Sequence, residues 1–596
     1  MRNLCYILIA IFLSTMTSYG QSELLAKNYF EQGKYEKALS LYDKLYRKDP
    51  NRLNYLVALV QTHQQLEQFT EAEGLLQKKI GERRIVPQLH VELGYNFALQ
   101  EKDSLATISY QKAIDYIDVN PNYAYPIGSA FQKYSLLDEA VATYEKAMEL
   151  DPEKDFNQQL ARIYGEQGDL DKMFGTYIAL IQSNPSYTSR AQRDFSSYIT
   201  EDPYNEANVI LRKNLLRKSQ ESPEVLYNQL LSWLFIQQKE FKKAFTQEKA
   251  IYKRDEEQDL DRMINLGLIA IAEESFENAT TIINFYVEEA PTAGTKLLGE
   301  QYLMKIALAT AIEKDYTDIE EKFESLLTEY GDGPSTHLLQ IDYNHFLAFL
   351  AGKPQIAITN LKKLSKTRLN VYQISKVKME LADILVFDEK FNQALIYYSQ
   401  IQNKVKSDVL AQEARFKVAR TSYYKGDFEW SQVQLDVLRK SASQLIANDA
   451  MELSLMIRDN SLEDSTQTAL RKFAKADLLS LQNKDKEAIT ALTEILTNHK
   501  GEKIEDEALL KQGELYEKTD QYIKAEANYN KLIELYAEDI LADDAHFKLA
   551  KLYEEHLDLP EKAKELYEQI IFNFADSIYF VEARKRFRML RGDAIN

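Results

Sequence analysis

Histidines and paired carboxylates are the residues of this chain whose types could do chemistry. The seven histidines are His63, His90, His337, His345, His499, His546 and His556. His337 and His345 are too widely spaced for adjacent turns of one helix, and His546 and His556 stand ten residues apart, so neither pair has metal-ligand spacing. Glu273-Glu274 and Glu288-Glu289 are acidic doublets of the kind used in general acid and base catalysis, yet no second partner accompanies them and they read as solvated charge. A phosphate-cradling glycine loop and a nucleophile elbow are both missing. The expectation is a chain without catalytic residues, metal or cofactor, the rival being an enzyme whose site is hidden in the divergent middle.

The elements that would position any functional residue are helical hairpins. Ala26, Tyr29, Gly33, Tyr35, Ala38, Tyr42, Leu45 and Pro50 fall at the spacing of two helices joined by a tight turn and closed by proline. One hairpin of this size cannot bury its apolar face alone, so neighbours are required. They recur: the small second-helix residue returns at Ala72, Ala106, Ala140, Met173 and Ala207, in steps of 33 or 34 residues. Such a period marks a tandem array, and at this point the chain resembles the tetratricopeptide repeat family. The resemblance implies an all-α fold, a tetratricopeptide-like helical-repeat solenoid wound into a right-handed superhelix of about fifteen hairpins.

Residues 1–20 differ in kind: Arg2 precedes the apolar run Leu4–Leu13, and a small polar stretch ends at Gly20, which reads as a signal peptide. Cys5 is the only cysteine, so a cleaved chain would hold neither a disulfide nor a lipid-attachment thiol. Regular repeats occupy 21–220 and divergent ones 221–374, where second-helix positions fall at Ala244, Ala279, Ile319 and Ala357 and a disguised globular domain is the competitor. Longer repeats and a terminal helix fill 375–590, with Ala394, Ser431, Ala488, Ala525 and Ala563 in the same role. Between Ser431 and Ala488 the excess length contains Leu445–Ile457, apolar enough for an extra helix.

A formal charge of −19 disfavours a general nucleic-acid role, and no span after residue 21 is apolar enough to cross a membrane. The 38 tyrosines belong at the packing seams of the repeats. The basic cluster Arg584-Lys585-Arg586 with Arg588 suits the end of a terminal helix packed on the last repeat.

In the resembled family the first helices line a concave groove that holds protein or peptide segments. Carried over by repeat, the groove candidates are Lys27 and Phe30, Gln61 and Gln64, Tyr95 and Leu99, Tyr125, Ser129 and Gln132, and Gln158 and Arg162. The lysine, asparagine and arginine clamp by which some members read a terminal carboxylate is absent, since the matching region offers Glu23, Lys27 and Gln61, and Ser129, Gln132 and Lys133. Phrases such as Ala545–Ala550 and Glu561–Tyr567 resemble repeats of periplasmic envelope-assembly proteins. That likeness implies an exported scaffold in the periplasm, peripheral at the outer membrane through an outer-membrane-associated protein complex. A structural spacer without a groove ligand is the alternative.

Overall fold

A computed structural model describes residues 22–406, 408–441, 444–461 and 466–593; residues 1–20, read above as a signal peptide, and Cys5 among them lie outside the described residues. Small residues at one fixed position of most second helices, with Met173 and Ile319 as the large exceptions, let two helices approach closely, and the observed order of elements follows from that. Fifteen helix pairs stand among the described residues, from 22–31 with Tyr35–Lys48 to Ala542–Glu555 with Pro560–Asn573. Each of the second-helix positions from Ala38 to Ala563 named above is buried. In fourteen of the fifteen pairs that residue is the fourth of its helix; Ala207 is the second residue of Glu206–Glu221. The architecture is an all-α, tetratricopeptide-like helical-repeat solenoid of stacked helix pairs.

The turn within a pair also repeats. In thirteen pairs the residue two before the second helix has positive φ, and the N–H of the following residue reaches back to a carbonyl near the end of the first helix, as Lys34 does to Tyr29 and Gln68 to His63. Glycine suits this left-handed position at Gly33 and Gly168, but Glu67, Glu101, Ser135, Lys239, Glu274, Glu389, Asn483, Asp520 and Asp558 adopt it too. Glu274, half of a doublet singled out for its charge, is one of these turn residues.

The described chain forms two compact units, 1–256 and 257–596. In the first, seven helix pairs bury Tyr144, Phe131, Phe174 and Phe195. Glycines there mark the tightest crossings: a Cβ on Gly94 would lie 2.3 Å from the Tyr110 ring, and one on Gly128 would lie 2.3 Å from Tyr144.

The second unit holds eight pairs, and hairpins run through 261–364 where a globular domain was the competitor. It also contains the extra helix, Gln444–Asp459, which ends where the Asn460 side chain returns a hydrogen bond to the Met456 carbonyl. Tyr398, Tyr423, Tyr529 and Tyr567 are fully buried at its seams. The terminal helix Phe580–Arg591 closes the unit, with Ala583 buried. Arg586, from the basic cluster, bonds Glu554, Glu555 and Glu582, so it ties this helix to the last pair.

Candidate functional site on the first-helix layer

In the first unit the first helices are linked to one another by side chains. Tyr55 donates to Glu23 across the first two repeats (3.0 Å), and Gln64 donates to Asn96 across the next two (3.3 Å). Glu92, only 3% exposed, takes the Lys133 ammonium at 3.0 Å and the Tyr134 hydroxyl from the fourth repeat. Burial, with the Glu92 carboxylate beside it, pushes the Tyr134 phenol well above its usual range and keeps it a donor. Tyr95 lies flat on Tyr134, ring centroids 3.8 Å apart and 17° from parallel. Gln61 of the second repeat reaches the Tyr134 hydroxyl (3.5 Å), passing over the repeat between them. A contact that skips one repeat requires this layer to lie on the inside of the local curve.

Five of the candidates therefore meet around two adjoining clusters. Gln61 and Tyr95 belong to the Glu92–Lys133–Tyr134 network, and Gln64 is buried beside it as a packing residue with its amide on Asn96. Gln132 and Ser129 lie against the Tyr144 hydroxyl, the former at 3.5 Å. Leu99 at 40% and Tyr125 at 57% exposure are the apolar groups left open to solvent, and Arg162 is exposed. Gln158, with its amide oxygen turned to Arg190, accepts from the guanidinium at 2.9 and 3.3 Å, linking the fifth and sixth repeats. Lys27 pairs with Glu31 on its own helix and Phe30 packs edge-on to Tyr35.

Glu92, Lys133 and Tyr134 are the centre of this network, and the reading by groove position missed them as its organising members. Glu92 and Lys133 stand 41 residues apart, off the 34-residue spacing, whereas in the second unit ion pairs between first helices keep to it. There Asp383 pairs with Lys417 (2.5 Å), Asp477 with Lys511 (3.1 Å) and Glu514 with Lys548 (2.9 Å), each pair 34 residues apart and each joining consecutive first helices. Opposite charges one repeat apart are visible without a structure.

In the second unit the first helix His337–Phe349 carries His345, which bonds Glu380 at 2.9 Å. Burial opposes its charge, yet Glu380, with Asp342 and Asp383 behind, holds the imidazole above its ordinary value. Asp342 has one carboxylate oxygen buried without a partner, and burial pushes its pKa up to about 6 against the pull of Lys305. The other histidines have local partners: His546 bonds the Ala542 carbonyl, His63 bonds Gln68 and His556 stacks on Tyr522. Among the described residues no group of three or more His, Cys, Asp or Glu side chains could hold a metal ion, and no helix is long and apolar enough to cross a membrane. The layer can hold a chain by stacking, hydrogen bonds and a few exposed apolar groups; it assembles no nucleophile with a base.

Comparison with known proteins finds the repeat itself. Models of the tetratricopeptide repeat match residues 29–78, 125–154, 507–539 and 544–577. A human protein, protein O-mannosyl-transferase TMTC1, is 23% identical over 155 residues, covering 25% of this chain and only 17% of its own length. Among solved structures, the APC/C hetero-tetramer Cut9–Hcn1 is similar at 14% identity with a TM-score of 0.21, over 96% of each chain. Naa15/Naa10 bound to HypK-THB is similar at 11% identity with a TM-score of 0.30, over 96% of this chain and 94% of that one.

Proposed function

We propose that this chain is a non-catalytic adaptor that holds extended protein segments along the first-helix layer of its N-terminal unit. It works outside the cytoplasm, in the periplasm and beside the outer membrane, where an outer-membrane-associated complex retains it after export directed by residues 1–20. The observation that carries the binding role is the wall built on Glu92, Lys133 and Tyr134. Three repeats are joined there by part-buried hydrogen bonds, so the exposed Tyr125 and Leu99 sit on a surface already ordered before a partner arrives, with the Arg162 cation on the next repeat. Preorganisation of this kind lowers the entropy cost of binding an extended chain, and aromatic and arginine anchors contribute most of the affinity in such contacts.

The test uses the native cell. A photocrosslinking residue at Leu99, followed by fractionation, should trap a partner protein from the envelope fraction, on a chain that has lost its first twenty residues. The variant carrying Tyr125→Ala and Arg162→Glu, both at exposed positions, should lose the crosslink while keeping its helical circular dichroism. A processed protein that traps nothing would leave the spacer reading, and an uncleaved cytosolic protein would refute export.

A further inference from the structure

The second unit carries an open cleft of about 690 Å³ between helix Pro354–Leu364 and helix Phe391–Lys404. Both are second helices of their pairs, so this cleft stands apart from the first-helix layer. Four lysines line it, Lys362, Lys363, Lys366 and Lys390, with Ile358 buried at its side, and no carboxylate belongs to the lining. In a chain of net charge −19 such a concentration of ammonium groups is the opposite of the surrounding composition.

Helix stabilisation accounts for part of it. Lys362 and Lys363 occupy the last turn of their helix, where cations suit the negative end of the dipole. Lys366 lies beyond that helix, and Lys390 is the N-cap of the next one, at the end where a cation is disfavoured. Lys390 and Lys363 are held by Asp388 (2.7 Å) and Asp332 (2.8 Å), and the second of these pairs is largely open to water. Such a pair is screened by water and is readily exchanged for another carboxylate. The Lys362 and Lys366 ammonium groups make no hydrogen bond or ion pair among the described residues.

We propose that this cleft is a docking site for an acidic segment of a partner protein, rich in Asp and Glu. The chemistry favours a chain of carboxylates over a single phosphate. A phosphate site converges several donors, commonly arginine forks or backbone N–H groups, on one point. Here the donors are ammonium groups on separate flexible stems, spread over the last turn of one helix, the residues just after it and the N-cap of another, with no arginine in the lining. Separated point charges match side-chain carboxylates spaced along a peptide, while Gln393 offers an amide to its backbone; the Gln355 amide is taken by Asp388 and Lys390. The site is independent of the groove on the first unit, so each can fail without the other.

The experiment measures fluorescence anisotropy of a labelled octaglutamate peptide on the full processed chain. The wild-type protein should bind at about 50 mM salt and weaken markedly at about 200 mM, as screening of exposed charges requires. Lys362→Glu combined with Lys366→Glu should weaken binding about tenfold or more, with circular dichroism unchanged. The groove variant Tyr125→Ala with Arg162→Glu should bind the peptide as the wild type does. The proposal is overturned when octaglutamate does not bind at the lower salt, or when the double lysine variant binds it equally well. Displacement of the peptide by millimolar inorganic phosphate, or by phosphatidylglycerol vesicles at matched charge, would equally overturn it in favour of a phosphate-bearing ligand.

Discussion

Adding a single methyl group at Gly128 should destabilise the fourth repeat, whereas the same change at Gly74 should stabilise the second. A Cβ on Gly128 would lie 2.3 Å from the tip of the Tyr144 ring and 2.7 Å from its hydroxyl. Ordinary carbon contacts begin at roughly 3.5 Å, so the ring must retreat by roughly 1 Å or more. It has no room to do so, being fully buried with Phe156 against it at 5.0 Å between centroids. Overpacking of this kind costs about 1–3 kcal/mol, and the helix propensity gained by replacing glycine returns about 1 kcal/mol. A Cβ on Gly74, exposed in the interior of helix Phe69–Ile80, meets nothing within 4 Å and should give only the propensity gain. Because a repeat array need not unfold as one unit, the assay is native-state hydrogen exchange resolved by peptide. Protection in 124–150 should fall in Gly128→Ala, about tenfold for each 1.4 kcal/mol, while 69–80 gains protection in Gly74→Ala. Adding Tyr144→Leu to Gly128→Ala should return part of the loss. Equal signs at the two glycines, or unchanged exchange in Gly128→Ala, would refute the packing argument.

Three further outcomes can be measured. Burial, with Asp506 adjacent, pushes Glu507 up to about 9, so the folded unit keeps a proton that the unfolded chain releases near the ordinary carboxylate value. Stability from this group is full below that ordinary value and falls as pH rises toward about 9, by up to about 1.4 kcal/mol per unit, so Glu507→Gln should raise Tm progressively between those limits; parallel Tm curves for the two proteins would refute this. Lys417→Met leaves the half-buried Asp383 without its cation and should cost about 1–3 kcal/mol, whereas Arg47→Met, from an exposed pair, should cost under about 0.5 kcal/mol; urea midpoints that do not separate the two would count against the brace. Arg586→Met removes three carboxylate contacts and should release residues 580–591 to fast hydrogen exchange while 560–573 keep most of their protection; an unchanged terminal helix would show that Ala583 packing suffices.

Much of the fold is legible in the sequence because one requirement repeats. Helix crossings need a small side chain at a fixed place, and Ala38, Ala140 and Ala563 record it whether the repeat is regular or stretched. Even the extra helix between Ser431 and Ala488 shows as surplus apolar length. The turns are less visible, because Glu67 and Lys239 hold a left-handed backbone that composition assigns to glycine; the hydrogen bonds of the turn compensate for the strain locally. The site is legible only in outline. Tyr95 and Gln61 both touch Tyr134, while Gln64 is buried on Asn96, and the charge of Glu92 is hidden by partners more than forty residues later in the chain. Pairings of that kind depend on how helices stack, and the composition of one repeat does not contain them.

The ion pairs spaced by one period also give the second unit a direction. Lys511 faces the acid of the preceding repeat while Glu514, one turn further along the same helix, faces the lysine of the following one. Each such module therefore has a donor side and an acceptor side, as in a row of couplings that join only head to tail. A tandem duplication of 504–541 would present Glu514 of the first copy to Lys511 of the second and find a complementary partner, so the array can lengthen by whole modules without a new charge code. An exchange of module order that placed two acidic sides together would meet repulsion at once.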